Sequence, residues 1–374
     1  MNERAVSMNK RAVLALAGLL LAACGSNAVT ASPDVSGPPP SGEQPGELVL
    51  LTHNAFAVDD DVRAEFEEQQ RATVRVLKVS DAGLMVNQAI LAKGAPVADV
   101  LYGVDNSFLS RALDAGIFDP YTSAGLGTVP AALQVDPSQR VTPIDYADVC
   151  LNYDRTAFDS TVPAPTTLDD LIGARYRGMT VVENPATSSP GLAFLLATVA
   201  RFGESGGFTW RDYWTALRSN DVRIEDSWET AYYDAFSGGG STGDRPIVVS
   251  YATSPAAEVV FGPSAAPGAS PAAAPTGVVT DGCFRQIEFA GLLTGARTEA
   301  RPLAQAWIDF MLSRRFQEDM PLQMYVFPAN REATLPDVFE RYATRVGNPI
   351  EMSPTQIGEL RDRIIREWTD VVLH

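Results

Sequence analysis

The segment whose residue types could most readily support chemistry is "VVENPATSSPGLAF", from Val181 to Phe194. Its pattern predicts a buried strand, a loop of small hydroxyl residues and the start of an apolar helix. Such a loop could present a catalytic serine, hold a phosphate or cap the helix. Pro190 suits the first helical turn and Ser189 the N-cap. We therefore expect Ser188, Ser189 and the helix N-terminus to face an oxygen-rich or anionic part of a ligand.

The sequence offers little to support catalysis. A Ser-His-Asp triad would depend on His53, because the other histidine is the C-terminal residue His374. The serine loop lacks the Gly-x-Ser-x-Gly elbow that exposes a nucleophile. A phosphate-binding P-loop, a Cys-x-x-Cys pair and histidine-rich metal spacing are also missing from the sequence. These features predict a protein that is not an enzyme and has neither cofactor nor metal centre.

Polar and aromatic residues recur where predicted strands end. The stretches concerned are "HNAF", "GVDNS", "NPATSSPG" and "SYATSP", joined by the aromatic stretches "DSWETAYY" and "LQMYVFPAN". Ligands of open α/β sheets bind at the carboxyl ends of the strands. Aromatic faces attract positive charge, and carboxylates neutralise it. The combination predicts a binding site for a delocalised cation.

Alternating strands and helices predict the elements that position these residues. The first series is "ELVLLTHN", "DDDVRAEFEEQQ", "TVRVLKV", "DAGLMVNQAILAK", "ADVLYG" and "DNSFLSRALDAG". A second series begins at "MTVVE" and includes helices over 190–202, 208–219 and 227–236. Helices over 299–313 and 354–372 follow. This alternation is typical of an α/β protein with doubly wound parallel sheets.

Two extended segments, near 140–153 and 283–292, separate the two series. They predict two lobes with a ligand cleft between them, joined by hinge crossings. We expect lobe 1 to comprise residues 47–143 and 286–374, and lobe 2 residues 144–285. Cys150 and Cys283 lie one on each crossing, and we expect them to form a disulfide in an oxidising compartment.

The N-terminus has the features of a secretory signal. Basic residues precede the apolar run "AVLALAGLLLAAC", which is too short for a permanent membrane anchor. The run ends in "LAAC", which resembles the lipobox of bacterial lipoproteins; that resemblance implies acylation of Cys24. We expect a signal peptide over 1–23, a flexible lipidated tether over 24–46, and an extracytoplasmic protein held at the membrane.

The formal net charge of -17 argues against nucleic acid as a partner, because phosphate binding requires a basic surface. It is compatible with a cationic ligand. We expect a monomer.

A set of motifs, in chain order, resembles the thiamine-binding proteins of bacterial ABC importers. They are "GVDNSFLSRALDAGIFDPY", "TSSPGLAFLLA", "WETAY", "VSYATSPA" and "VFPAN". The resemblance implies a two-lobe type II periplasmic-binding fold that holds thiamine or a thiamine phosphate in the cleft for a membrane permease. It implies the following ligand-binding residues: Asp105 and Asn106 at the aminopyrimidine, Trp228 stacked on a ring, Tyr251, Ser254 and Tyr325 lining the pocket, and Ser188, Ser189 and Gly191 at the hydroxyethyl or phosphate end.

Three positions depart from the family pattern. His53 stands where the family has Tyr, and Asp60 and Ala257 stand where it has aromatic residues. The ligand could therefore be a relative of thiamine, and a polyamine or ferric iron remains an alternative. Related ferric-binding proteins use an adjacent Tyr pair, but here only Tyr251 follows the corresponding strand. The pair Tyr232–Tyr233 is predicted to lie in a helix and to point in different directions.

Overall fold

The computed structural model describes residues 46–238, 242–262 and 271–374. The predicted signal peptide, the lipidation site at Cys24 and nearly all of the predicted tether lie outside these residues. Within them, the chain alternates between strands and helices, as expected from the sequence. None of the helices in the described residues is long and apolar enough to cross a membrane.

The strands bear out the predicted alternation. In chain order they are β1 (Gly46–His53), β2 (Ala72–Val79), β3 (Val100–Asp105), β4 (Phe118–Asp119), β5 (Thr142–Asp154), β6 (Thr180–Glu183), β7 (Arg223–Glu225), β8 (Ile247–Tyr251), β9 (Thr276–Leu293) and β10 (Phe327–Pro328).

The α-helices lie between these strands and at the C-terminal end. In chain order they are α1 (Asp60–Gln70), α2 (Ala82–Leu91), α3 (Leu109–Ala115), α4 (Ser189–Phe202), α5 (Trp210–Ser219), α6 (Ser254–Phe261), α7 (Arg301–Met311), α8 (Arg314–Gln323), α9 (Asp337–Tyr342) and α10 (Pro354–Val372). A π-helical turn covers Thr230–Ala235, where the sequence predicts an ordinary helix.

Two groups of parallel strands form the sheet. Strand β1 pairs in parallel with β2 and β3, and β6 pairs in parallel with β7 and β8. The sheet runs in the order β2-β1-β3-β9-β5-β8-β6-β7. The predicted α/β fold is confirmed, and the two predicted sheets are two parallel groups of strands within one sheet. The groups share one hydrogen-bonded network, because the long strands β5 and β9 pair with each other and with a member of each group.

Strands β5 and β9 are the two predicted crossings. They are antiparallel and lie side by side, and β9 begins several residues earlier than the sequence suggests. A disulfide joins Cys150 to Cys283, with the two Cα atoms 4.5 Å apart. The crossings therefore bring together two cysteines that are 133 residues apart in sequence. The predicted lobe boundaries remain a prediction.

Apolar helix faces cover the sheet. Helix α7 buries Ala304, Trp307, Ile308 and Met311, the stripe that its sequence predicts. Helix α10 packs against α5, with Trp368 and Trp214 edge to face at 5.5 Å between ring centroids. The sequence did not predict α8, which contains Pro321 within its span. Proline weakens a helical pattern because it lacks a backbone donor.

Candidate functional site

A cavity of about 350 Å³ lies where strands of both parallel groups end. This volume falls within the range of small-molecule sites. Its wall comes from the segments after β1, β2, β7 and β8, from β9, and from the residues at the end of α8 and after it. The residues that line it are His53, Asn54, Ala55, Phe56, Ala57, Lys78, Asp81, Ala82, Ser189, Trp228, Glu229, Tyr232, Tyr233, Tyr251, Ser254, Ala257, Glu258, Phe261, Gly262, Gln286, Glu288, Gln323, Met324, Tyr325 and Val326.

Trp228 is the centre of an aromatic wall. Its ring stacks on Tyr232 with centroids 5.0 Å apart and planes 21° apart, and Tyr251 lies 6.1 Å away. Trp228 Nε1 donates to Ser250 Oγ at 3.0 Å, and its backbone N–H donates to Asp81 Oδ2 at 3.2 Å. These contacts fix the indole at the cavity, where a flat ring could stack against aromatic side chains.

Tyr233 and Tyr325 extend the aromatic lining. Tyr325 packs edge to face against Phe261, with ring centroids 5.8 Å apart. Tyr325 has a φ of 56°, in the left-handed region, and its carbonyl accepts a hydrogen bond from Thr253 Oγ1. Both Tyr232 and Tyr233 line the cavity. Tyr232 is buried and Tyr233 is exposed, and their ring planes are 85° apart, so the two side chains differ in direction as the sequence predicts.

Carboxylates reach the cavity from several elements. They are Asp81 at the N-cap of α2, Glu229 beside Trp228, Glu258 in α6 and Glu288 in β9. Glu258 Oε1 accepts a hydrogen bond from the Tyr232 hydroxyl at 2.6 Å. Among the described lining residues, Lys78 is the only lysine or arginine. The lining is therefore acidic as well as aromatic, a combination that suits a cationic ligand.

His53 occupies the floor of the cavity beside Glu288. Its Nε2 lies 3.4 Å from Glu288 Oε1, and both side chains are buried. Burial lowers the pKa of the imidazole, but the nearby carboxylates, above all Glu288, outweigh burial and raise that pKa above its ordinary value. Gly103, with a φ of 98°, makes room for the ring, because a Cβ there would lie 2.3 Å from His53 Cδ2.

A second buried carboxylate, that of Asp145, lies next to Glu288 on the side away from the cavity lining. The Tyr102 hydroxyl lies 2.6 Å from Asp145 Oδ2 and 3.2 Å from Glu288 Oε2. Burial and the charge of Glu288 raise the pKa of Asp145 well above its ordinary value. Tyr102, Asp145, Glu288 and His53 thus form a polar chain that leads from the core to the cavity.

Six of the predicted ligand-binding residues line the cavity: His53, Ser189, Trp228, Tyr251, Ser254 and Tyr325. The other five do not: Asp60, Asp105, Asn106, Ser188 and Gly191.

Asp60, Asp105 and Asn106 have other partners. Asp60 is exposed in the first turn of α1 and pairs with Arg63 at 2.8 Å. Asp105 is buried, and its Oδ1 accepts hydrogen bonds from the backbone and hydroxyl of Ser107. The side-chain amide of Asn106 hydrogen-bonds to the backbone of β9: Nδ2 donates to the Arg285 carbonyl, and Oδ1 accepts from the Ile287 N–H. Asp105 and Asn106 thus make their contacts around the end of β3, Asp60 lies on the surface of α1, and none of the three lines the cavity.

The serine loop that leads into α4 also differs from its prediction. Ser188, not Ser189, is the N-cap, and both residues are buried. Burial raises the pKa of Asp81 above its ordinary value and that of Asp105 to about 6. Neither serine hydroxyl has a hydrogen-bond partner among the described residues. Gly191 packs against β6, since a Cβ would lie 2.5 Å from the Glu183 carbonyl oxygen.

His53 makes no hydrogen bond to Ser188 or Ser189 in the described part of the chain, and it pairs with Glu288 instead. The arrangement that a serine hydrolase would need is therefore not formed at this loop. Nor do three or more His, Cys, Asp or Glu side chains converge as metal ligands within residues 46–238, 242–262 and 271–374.

Sequence reasoning missed several lining residues, including Phe56, Asp81, Glu258 and Glu288. The signal for Glu288 was present, because it is a lone acidic residue in the apolar run "IEFAGLL". A charge in a buried strand needs a partner or a function. Asp81 is the N-cap of α2, a role that a polar residue before a helix often has and that gave no separate signal of a binding site.

Known proteins resemble this chain along most of its length. Residues 95–347, more than half of the chain, match the model of a family described as bacterial extracellular solute-binding protein. A thiamine-binding periplasmic protein of Escherichia coli K12 is 27% identical over 333 residues, which cover 87% of this chain and 93% of the relative.

Solved structures share the fold. A structure of a periplasmic thiamin-binding protein superposes with a TM-score of 0.75 and 24% identity, covering 89% of this chain and 98% of that protein. A ferric-binding protein from Campylobacter jejuni gives 0.67 and 16%, covering 87% and 99%. The fold is thus that of type II periplasmic binding proteins, and the chain belongs to the family of bacterial extracellular solute-binding proteins.

Proposed function

We propose that this protein binds thiamine in the aromatic, acidic cavity and delivers it to the membrane permease of an ABC importer. The observation that carries the proposal is the pairing of Trp228, Tyr232 and Tyr251 with carboxylates on several sides of one cavity. Thiamine is a flat-ringed cation, and both features suit it. Aromatic faces attract its charge, and carboxylates neutralise that charge away from water.

The relatives support this ligand. The Escherichia coli relative named as thiamine-binding matches this chain over nearly its whole length. The ligand-binding roles of His53, Trp228, Tyr251, Ser254 and Tyr325 are part of the proposal. Ser189 lines the same cavity, and its ligand-binding role is part of the proposal as well.

Titration calorimetry on ligand-free protein tests the proposal. The protein is unfolded in denaturant, dialysed and refolded, so that a ligand carried through purification is removed. Thiamine, spermidine and ferric citrate are then titrated in parallel. We expect saturable binding of thiamine with one site per chain. Saturation by spermidine or ferric iron, with no heat from thiamine, would reject thiamine as the ligand and favour one of the two alternatives.

We propose further that the protein is a monomer held at the outer face of the cell membrane by acyl chains on Cys24. The lipobox "LAAC" supports this anchor. Labelling of growing cells with radioactive palmitate tests it. The natural protein should incorporate label and a Cys24→Ala variant should not. Equal labelling of both would reject the site, and sedimentation of the soluble part would report the oligomeric state.

A further inference from the structure

One of the two histidines of the chain, His53, is buried against a carboxylate of the cavity. It is 7% exposed, and its Nε2 lies 3.4 Å from Glu288 Oε1, with no hydrogen-bond partner among the described residues. Gly103 leaves the space that the ring occupies, because a Cβ there would lie 2.3 Å from His53 Cδ2. The backbone thus holds an ionisable ring beside Glu288, and both side chains line the cavity.

The titratable groups packed around His53 are mostly acidic. Element by element, they are Asp81 at the N-cap of α2, Tyr102 and Asp105 in β3, Asp145 in β5, Tyr251 in β8 and Glu288 in β9. In the described lining the only lysine or arginine is Lys78, which is exposed. Burial lowers the pKa of the imidazole, but the charges of Glu288, Asp81 and Asp105 raise it above its ordinary value. Without a ligand, the site therefore favours the imidazolium.

We propose that the ligand cation and the proton on His53 compete for the same carboxylates, so that a bound cation displaces the proton from the imidazole. The inference rests on the proposed function and deepens it. Glu288 and Asp81 both line the cavity, so a cation bound there approaches the charges that hold the proton. The imidazolium and the ligand repel each other more strongly in the cavity than in water, because the protein screens charge less.

The exchange balances in charge and in protons. The imidazolium gives one proton to the solvent, the neutral imidazole stays beside Glu288, and the ligand brings one positive charge in place of the one that leaves. Linkage requires that the ligand weaken proton binding by the same factor by which the proton weakens ligand binding. At pH 6.5, the ordinary pKa of histidine, ligand-free His53 is more than half protonated because its pKa is raised.

Calorimetric titration with thiamine in two buffers that differ in their heat of protonation counts the released protons. PIPES and ACES serve at pH 6.5, since each proton released adds the protonation heat of the buffer to the signal. We expect about 0.5–1 proton per thiamine, and a smaller count as the pH rises above the pKa of His53. Equal heats in both buffers, with thiamine bound, would overturn the inference. Failure of thiamine to bind would instead reject the proposed function.

Matched histidine variants assign the proton to its source. His53→Gln removes the imidazole and should reduce the count at pH 6.5 to less than about 0.2. His374→Gln makes the same change at the exposed C-terminal residue and should keep the count of the natural protein. Asp145→Asn tests the carboxyl that lies 2.6 Å from the Tyr102 hydroxyl. Release that is lost in Asp145→Asn but kept in His53→Gln would overturn the assignment to His53.

NMR of histidine-labelled protein, purified without a histidine tag, gives a readout that does not depend on the folding of a variant. The chain has two histidines, so two sets of imidazole signals are expected. Saturation with thiamine at pH 6.5 should move the His53 signals toward those of neutral imidazole and leave the His374 signals unchanged. His53 signals that stay at the imidazolium position in the thiamine complex would overturn the inference.

Discussion

Trp228 and Trp307 are the same residue type in two different roles, which makes them a matched pair for mutation. Trp228 lines the cavity, stacks on Tyr232 at 5.0 Å and donates to Ser250. Trp307 is fully buried and packs edge to face on Phe66 at 4.8 Å, away from the cavity. Replacement of each by alanine should therefore affect different measured quantities.

The loss at Trp228 can be worked out from its contacts. A desolvated cation over an indole face gains about 2 kcal/mol, and an aromatic pair adds about 0.5–1.5 kcal/mol. Trp228→Ala should therefore weaken thiamine binding by about 2.5–3.5 kcal/mol, or roughly 60- to 300-fold. Trp228→Phe keeps a ring and loses only the bond from Nε1, so it should cost about 1 kcal/mol, or roughly fivefold.

Trp307→Ala creates a cavity in the core and should lower the free energy of unfolding by about 3–5 kcal/mol. The fraction that remains folded should bind thiamine with unchanged affinity. Urea unfolding and calorimetry on both variants measure the two quantities. If Trp307→Ala weakened binding as much as Trp228→Ala, or if Trp228→Ala bound thiamine normally, the assignment of the aromatic wall would be wrong.

Three further predictions follow from buried charges and the disulfide. Burial raises the pKa of Asp105 to about 6 from 3.8, so between these values the folded state keeps a proton that the unfolded state loses. The free energy of unfolding should therefore fall by about 2.4 kcal/mol as pH rises from 4 to 7, and urea unfolding of Asp105→Asn should show less of this fall. The pKa of His53 is raised beside Glu288. Thiamine affinity should therefore fall as pH drops through that pKa, because the imidazolium repels the cationic ligand. Calorimetry between pH 5 and 8 should show a weaker dependence of affinity on pH for His53→Gln. Removal of the disulfide by the double substitution Cys150→Ala and Cys283→Ala opens a loop spanning 133 residues. The chain-entropy model predicts that the free energy of unfolding, measured with denaturant, falls by about 5 kcal/mol. A fall below about 1 kcal/mol would contradict that expectation.

Local patterns in the sequence were sufficient to predict most of the fold. The alternation in β2 and the helical stripe of α7 each depend on neighbours in sequence, and both elements form as expected. Helix α10 has its predicted bounds, Pro354–Val372, because Ser353 caps it and Pro354 suits its first turn. The extended crossings were also visible as long runs without helical periodicity.

The site was less predictable because it depends on contacts between distant elements. Trp228 and Tyr251 could be selected from their positions near strand ends. Asp105 could be selected in the same way, yet its side chain turns toward the backbone after β3 and is buried there. The direction of a side chain at a strand end depends on one residue of register. A motif therefore locates a segment without showing which of its residues faces the ligand.

The contacts that join the two sides of the cavity involve the residues that surround the ligand site. Asp81, after β2, accepts the backbone N–H of Trp228, and Asn54, after β1, donates to Glu229. Each bond links the first parallel group to the segment that follows β7. A cation placed between Asp81, Glu229 and Trp228 would neutralise carboxylates that otherwise repel each other, and so favour the same approach of the two sides. We therefore expect a neutral analogue of similar shape to bind more weakly than the cation, because it would leave these carboxylates unneutralised.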